Sequence, residues 1–209
     1  MDNLNYNAVS YSPGFKTLLV PLTAPSNTTV TSLSGGTSAT INWTASSDLN
    51  AGAVVSYSVS INGEHVLTIP ICTGQECSTT VTDLSQASQN TVLITASDNY
   101  NQTRQGEPVE FWTLGMTTPP SGTAVLNAVT GNVVLTWNAS QFISSTSGTQ
   151  SLVNAIYNVT GTGGATPFSG PFTCSQAICT APAPANLTYT ITASYEVYTS
   201  GALTLNLMN

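Results

Sequence analysis

The feature that most constrains the fold of this chain is an internal repeat. Residues 39–46 match residues 133–140, and the match aligns Trp43 with Trp137. Three further segments recur in the same order with drifting spacing, which indicates two copies of one unit with different loop lengths. These segments are 57–60 with 157–160, 72–77 with 174–179, and 94–97 with 191–194. The repeat predicts two domains, at residues 25–117 and 118–209, after an amino-terminal tail at residues 1–24.

Within each copy, apolar and polar residues alternate with a period of two, in short runs broken by Gly, Pro, Ser and Asn. This pattern predicts β-strands rather than helices. In the first copy we expect strands near residues 28–33, 38–45, 54–61, 64–71, 78–84, 91–98 and 107–114. Seven short strands in roughly 90 residues are typical of an antiparallel β-sandwich, so the predicted fold class is all-β.

Particular residues in these strands resemble fibronectin type III and related immunoglobulin-like domains. Each copy has the tryptophan of that family's second strand and the Tyr-x-Val of its third, and the second copy has a strand that resembles the one with the tyrosine corner. The matching residues are Trp43, Trp137, Tyr57, Val59, Tyr157, Val159, Tyr189, Ile191 and Ala193. The first copy has Val92 in place of that corner tyrosine. The resemblance implies two tandem seven-stranded immunoglobulin-like sandwiches with an extra N-terminal strand.

Composition excludes several classes of function. Charged residues are only 5% of the chain, and the cations are Lys16 and Arg104, too few for a nucleic-acid or polybasic membrane-surface protein. The 41% of apolar residues are enough to bury a core, which argues against disorder. No segment approaches the length of a membrane span. We expect a mature, secreted protein at the extracellular cell surface, with no membrane insertion and no nucleic-acid partner.

The tail contains a strand-like segment at residues 14–23 that belongs to neither copy. It has apolar side chains on both faces, and a strand of this kind is normally buried on both sides. One interpretation is an extra edge strand of the first domain. The other is donor-strand exchange, in which the tail completes a sheet in a neighbouring subunit. The predicted assembly-strand residues are Phe15, Lys16, Leu18, Leu19, Val20 and Leu22.

Lys16 is the only lysine, and it lies within this apolar segment. Two roles are open for it. It is either an edge charge that deters wrong strand pairing, or the donor of an isopeptide bond to an Asn or Asp of an acceptor domain.

Each copy has one Cys-x4-Cys pair, Cys72 with Cys77 and Cys174 with Cys179. An even number of cysteines in an extracellular-type chain favours two local disulfides. The alternative is a zinc site built from all four thiolates, but the spacing differs from the usual Cys-x2-Cys. We therefore expect disulfides, and neither metal nor cofactor.

Six Asn-x-Ser/Thr sequons are candidate N-glycosylation sites. Three of them alternate with inward-facing strand residues and are expected to point outward; the others fall at a domain start or in loops. The six are Asn27, Asn42, Asn101, Asn138, Asn158 and Asn186. The expected partners are therefore N-linked glycans and further copies of the chain.

The sequence gives little support for catalysis. His65 is the only histidine, and its surroundings in the sequence show neither a nucleophilic triad nor a metal-ligand cluster. The nine carboxylates are scattered, without the Asp-x-Asp spacing of a calcium loop. The prediction is a protein that is not an enzyme.

Together these features resemble the subunits of archaeal extracellular filaments, similar to the glycosylated thread filaments of the Sulfolobales. The resemblance implies a homopolymer of glycosylated subunits joined head to tail by donor strands, serving adhesion or biofilm cohesion. The alternative is a ligand- or carbohydrate-binding spacer of an adhesin, surface layer or secreted enzyme. In that case the loop at residues 98–106, with its aromatic and amide groups, would bind the ligand.

Overall fold

The computed structural model describes residues 19–164 and 168–208, and all regular elements in these ranges are β-strands. The fold is all-β, as the period-two alternation predicted. Nine strands build the first sandwich: β1 Ser26–Ser32, β2 Ala39–Thr44, β3 Val55–Ile61, β4 Glu64–Val66, β5 Ile71–Thr73, β6 Glu76–Val81, β7 Gln89–Asp98, β8 Thr103–Gln105 and β9 Val109–Trp112.

Eleven strands follow, and most of them build the second sandwich. They are β10 Gly115–Met116, β11 Gly122–Leu126, β12 Val133–Asn138, β13 Phe142–Ile143, β14 Gln150–Ser151, β15 Ala155–Thr162, β16 Phe168–Cys174, β17 Ile178–Ala183, β18 Thr188–Tyr195, β19 Tyr198–Thr199 and β20 Leu203–Met208. The short strands β10, β13 and β14 form a separate three-stranded sheet.

The two sandwiches differ in how their layers are joined. In the first, the layers are separate sheets, β1-β2-β6-β5 and β4-β3-β7-β8, with β9 also paired to β7. In the second, β11 pairs with β12 antiparallel and with β20 parallel. That parallel pair links both layers into one hydrogen-bonded ladder, β16-β15-β18-β20-β11-β12-β17. The second sandwich is therefore closed along one side where the first is not.

Alternating burial along the strands produces two separate cores. On β2, the side chains of Ala39, Ile41 and Trp43 are buried while their neighbours lie at the surface. Strand β15 shows the same alternation over eight residues. One buried cluster uses residues between 39 and 111, and the other uses residues between 116 and 205. The boundaries at 24/25 and 117/118 stay predictions.

The repeated motif forms the same local structure in both cores. The Trp43 and Tyr57 rings meet edge to face with centroids 5.6 Å apart, and the equivalent rings of the second copy are 5.4 Å apart. In each copy the tyrosine hydroxyl accepts a hydrogen bond from the backbone N–H of the serine three residues after the tryptophan. These bonds are Ser46 N–H to Tyr57 and Ser140 N–H to Tyr157. The aligned Trp-x-Ala-Ser segments thus mark one conserved geometry within the chain.

The sandwiches meet at a junction made by three elements of the first. In the β1–β2 turn, the N–H of Gly35 lies 3.4 Å from the Tyr198 hydroxyl. In the β6–β7 turn, the Gln86 side chain accepts a hydrogen bond from the Thr199 N–H. At the end of β9, the Trp112 N–H donates to a backbone carbonyl, at Thr146. One end of the first sandwich is thereby covered by the second.

Candidate assembly site at the amino-terminal segment

Residues 19–25 lie against one end of the first sandwich, where two side-chain amides hold their backbone. The N–H of Val20 donates to Oδ1 of Asn50 at 2.8 Å, and Nδ2 of Asn50 donates to the Val20 carbonyl at 2.8 Å. That carbonyl also accepts a bond of 3.1 Å from Nε2 of Gln102, whose Oε1 accepts from the Leu22 N–H at 3.2 Å. We call Asn50 and Gln102 the tail clamp.

The Leu22 side chain fixes the same segment by burial. It is 2% exposed, whereas Leu19 and Val20 are exposed at the surface. Beside it, the Thr23 N–H donates to the Ser47 carbonyl, and the Ser47 N–H donates back to the Thr23 hydroxyl at 2.6 Å. The chain is therefore attached to the first sandwich from residue 20 onwards.

Two carboxylates position the clamp amides. Asp48 accepts hydrogen bonds from both the N–H and the side-chain Nδ2 of Asn50, at 2.9 and 2.7 Å. Asp98 accepts from the N–H groups of Tyr100 and Gln102, and from Nε2 of Gln102 at 2.8 Å. Both carboxylates close local turns of the kind that Asp favours. The orientation of each clamp amide is thus fixed by a carboxylate as well as by the tail.

The pKa of Asp98 follows from these contacts. Burial acts to raise it, but the hydrogen bonds that Asp98 accepts from the Gln102 and Tyr100 backbone N–H groups and from the Gln102 side chain lower the pKa below its usual 3.8. The ionised form is therefore the one that the site stabilises. Protonation of Asp98 would remove acceptors on which the Gln102 side of the clamp depends.

The structure changes the predictions made for the tail. Leu22 was expected to be an assembly residue, but it is buried in its own domain and is not available to a neighbour. Residues 19–25 form no strand, so the predicted extra strand does not include them. Leu19 and Val20 are exposed, and their role as assembly residues stays a prediction. Phe15, Lys16 and Leu18 lie outside the described residues, and both roles of Lys16 stay predictions.

Sequence reasoning missed the clamp itself. Asn50 and Gln102 fall in loops of ordinary polar composition, and neither stands in a recognisable motif. The available signal was weak: an Asp lies two residues before Asn50 and four residues before Gln102, a spacing compatible with side-chain turns. Nothing in the sequence pattern reveals that the two loops meet around Val20.

The four cysteines form two disulfides, Cys72–Cys77 and Cys174–Cys179, as favoured over zinc. Their positions differ. Cys72 and Cys77 are directly paired residues within the β5–β6 hairpin of one sheet. Cys174 ends β16 and Cys179 lies on β17, the two edge strands of the second sandwich's ladder. The same Cys-x4-Cys spacing therefore gives a disulfide within a hairpin in one copy and a disulfide between two edge strands in the other.

The candidate glycosylation sites are not equivalent. Asn27, Asn101, Asn138 and Asn158 are exposed, and Asn42 is half-buried on β2. Asn186 is 2% exposed, its Nδ2 donates to the Pro184 carbonyl and its Oδ1 accepts from Gly164 N–H. The Asn186 amide is therefore packed inside the folded domain, which argues against a glycan there. Glycosylation of all six sites stays a prediction.

His65 and the carboxylates are the remaining candidate groups for chemistry. His65 is exposed on β4, opposite Ser60 of β3. Within residues 19–164 and 168–208, no group of three or more His, Cys, Asp or Glu side chains is placed to hold a metal ion. Over the same ranges the structure contains no helix able to cross a membrane.

The loop predicted to bind a ligand is occupied by internal contacts. Asp98 and Gln102 serve the tail clamp, and the Tyr100 hydroxyl donates to the Ala51 carbonyl at 2.5 Å. Its polar groups are therefore largely satisfied by the chain itself, which leaves the carbohydrate-binding alternative without a formed site in this loop.

Comparison with known proteins agrees with this geometry. Residues 23–112 match the family model of the fibronectin type III domain, a range that contains all of β1 to β9. The first sandwich is fibronectin type III-like. One similar solved structure is the central fibronectin-III array of RIM-binding protein, with 13% identity, a TM-score of 0.35, and coverage of 91% of this chain and 69% of that one. No curated protein matches the sequence.

The fold therefore supports a coarse functional statement. Tandem sandwiches related to fibronectin type III are structural or binding modules, and this module type is non-catalytic in itself. The two disulfides are compatible with an extracellular protein.

Proposed function

We propose that this protein is the subunit of an extracellular filament, in which the part of the tail that precedes the clamped Val20 of one copy adds a strand to the next. The observation that supports this most is the completeness of both sandwiches. Among the described residues, the two buried clusters are built from residues 39–205. Of the apolar segment at residues 14–23, Leu22 is buried against the first sandwich, whereas Leu19 and Val20 are exposed. The apolar residues of the tail that precede Leu22 are therefore our candidates for strand addition to another molecule.

The tail clamp supports the same role. It attaches the chain at Val20 and Leu22 through hydrogen bonds to Asn50 and Gln102, at the end of the first sandwich that lies away from the second. Donation of the tail from one copy to the next is a head-to-tail contact. Such a contact does not close on itself, so a polymer is its natural product. The filament would serve adhesion or cohesion between cells.

Deletion of residues 1–18 tests the proposal. This deletion is preferable to removal of the whole tail, because Leu22 contributes to the first core and its loss would confuse assembly with stability. Negative-stain electron microscopy should show filaments for the full chain and folded monomers for the deletion. The matched control lacks residues 1–12 only and keeps the apolar segment, so it should still polymerise. Monomers in the full-chain sample would exclude a filament and favour the binding-module alternative.

We also propose that the filament surface is glycosylated at Asn27, Asn42, Asn101, Asn138 and Asn158. Charged side chains are scarce, so glycans would supply much of the hydration of this surface. Intact-mass analysis of material from its native host provides the test. Asn158→Gln should remove the mass of one glycan, whereas Asn186→Gln should change the mass only by the substitution. A glycan found at Asn186 would contradict the folded geometry.

A further inference from the structure

The end of the second sandwich that lies away from the junction has an exposed apolar surface. We call it the distal patch. Three of its residues lie in a row across neighbouring strands, because Val125 of β11 pairs with Val134 of β12 on one side and with Met208 of β20 on the other. The patch continues into the adjacent turns. Its members are Val125, Leu126, Val129, Val134, Leu187 and Met208, all exposed.

Because the two sandwiches are repeats, the distal patch can be compared with the equivalent end of the first sandwich. In the first sandwich, the β1–β2 turn, the β6–β7 turn and the end of β9 contact the second sandwich. The equivalent elements of the second sandwich are the β11–β12 turn, the β17–β18 turn and the end of β20. These hold Val129, Leu187 and Met208, which are 95%, 65% and 55% exposed. The same end of the unit is thus covered in one copy and apolar but uncovered in the other, within the described residues.

The opposite end of the first sandwich is equivalent to the end of the second sandwich that faces the junction. The connections that face the junction from the second sandwich are 139–154 and 196–202, and their counterparts in the first are 45–54 and 99–102. This counterpart end contains exposed Leu49 and Val54, and beside them Leu19 and Val20 of the tail. If two copies were placed end to end, the distal patch of one would meet the free end of the first sandwich of the other. These two surfaces are equivalent to the two that already meet at the junction inside one chain.

Charge is also compatible with burial of the distal patch. Among residues 118–209 the only Asp, Glu, Lys, Arg or His is Glu196, which lies beside β19 near the junction and not at the distal end. Burial of the patch would thus remove apolar surface from water without removing a charged group. Clustered exposed apolar side chains of this kind are typical of an interaction site.

From this arrangement we infer that the distal patch is the surface on which the next copy of this chain docks, through the first sandwich's free end and the tail that leaves it. This inference rests on the proposed filament, and it identifies the acceptor as the second sandwich rather than the first. The contact is heterologous, so it repeats without closing.

Charge substitutions in the full chain test the location of the acceptor. The variants are Val125→Lys and Val134→Lys, on the outer sheet face, and Val129→Lys, in a turn where the side chain is almost fully solvated. The matched control is Ile69→Lys, which introduces the same charge at an 89% exposed apolar position between β4 and β5 of the first sandwich. Circular dichroism and thermal unfolding should be unchanged for Val129→Lys and Ile69→Lys, since both positions lie at the surface.

Polymerisation is measured by sedimentation and negative-stain microscopy over a range of protein concentrations. An unpaired charge buried in an interface weakens it strongly, so we expect the patch variants to raise the critical concentration by about tenfold or more. Ile69→Lys should polymerise as the unsubstituted chain does. Normal polymerisation of all the patch variants would overturn this inference while leaving the filament proposal intact. Absence of polymer from the unsubstituted chain would instead overturn the filament proposal itself.

Discussion

The two sandwiches are copies of one unit, yet only their centres are alike. Both bury a tryptophan against a tyrosine whose hydroxyl accepts a hydrogen bond from a serine N–H, and the ring separations are 5.6 and 5.4 Å. Their edges differ. The second sandwich closes through the β11–β20 parallel pair and joins edge strands with a disulfide, while the first does neither. The core geometry is thus retained where packing demands it, and the edges are where the copies have specialised.

Removal of either tryptophan is the strongest way to test the shared centre. Trp43→Ala and Trp137→Ala should each cost about 3–5 kcal/mol of unfolding free energy, because a large buried ring leaves a cavity. Trp137 also meets Phe172 of β16, with ring centroids 6.4 Å apart. We therefore expect the Trp137 variant to lose more, by about 0.5–1.5 kcal/mol for the additional aromatic pair. Denaturant unfolding followed by fluorescence measures both, and equal losses would contradict the difference in packing.

The disulfides come next in size. A disulfide that closes a loop of this length contributes about 2 kcal/mol by restricting the unfolded chain. Replacing both cysteines of either pair by serine should therefore lower the free energy of unfolding by about that amount. The Cys174/Cys179 pair should lose more than the Cys72/Cys77 pair, since it joins two edge strands that are not hydrogen-bonded to each other. Calorimetry of the two double variants tests the order. The reverse order would mean that the hairpin bond in the first sandwich matters more than its position indicates.

The corner hydroxyls are expected to contribute less. In the second sandwich the Tyr189 hydroxyl donates to the Pro184 carbonyl and accepts from the Asn186 N–H. In the first, the buried Thr113 hydroxyl donates to the Ser85 carbonyl and accepts from the Ser88 N–H. Tyr189→Phe and Thr113→Val should therefore each lose about 1 kcal/mol, the typical net value of such bonds. If Thr113→Val left the free energy of unfolding unchanged, the Thr113 hydroxyl would not be the counterpart of the tyrosine corner in the first sandwich.

The smallest effect concerns acid. The pKa of Asp98 is lowered in the folded chain, so its contribution is present above the unfolded pKa and is lost as the pH falls through the folded one. That window lies at and below pH 3.8. Proteolysis near Val20, measured with an acid-active protease, should therefore increase below that pH. Asp98→Asn should show increased cleavage already at neutral pH and a flatter profile, while the second sandwich, which lacks an equivalent clamp, should show no such change in this range.

The strands that the sequence predicted well are those with strict alternation over six or more residues. Strands β2, β3 and β7 lie within a residue or two of the expected ranges, because one buried face fixes both period and register. The predicted strand at 64–71 was wrong as a single element. It divides into β4 and β5, since the Cys72–Cys77 hairpin draws residues 71–73 to the other sheet, and Pro70 has no N–H for a continuous ladder.

The candidate site was less predictable than the fold. Apolar periodicity indicated that residues 14–23 form a strand, but it does not distinguish a side chain buried in its own domain from one presented to a partner. Leu22 illustrates this, because its burial depends on loops far away in the sequence. The burial of Asn186 was unpredictable for a similar reason, because Gly161 and Gly164 of a neighbouring segment pack around its side chain. Contacts between distant loops leave little trace in local pattern.

The tail clamp has a mechanical consequence. Tension applied at residue 19 would reach the first sandwich through the Val20 carbonyl and N–H, the Leu22 N–H and the buried Leu22 side chain. These attachments lie within three consecutive residues, so they share a load instead of breaking one after another. The force would then divide between two loops, one leading to β2 and β3 and the other to β7 and β8, and so enter both sheets of the sandwich.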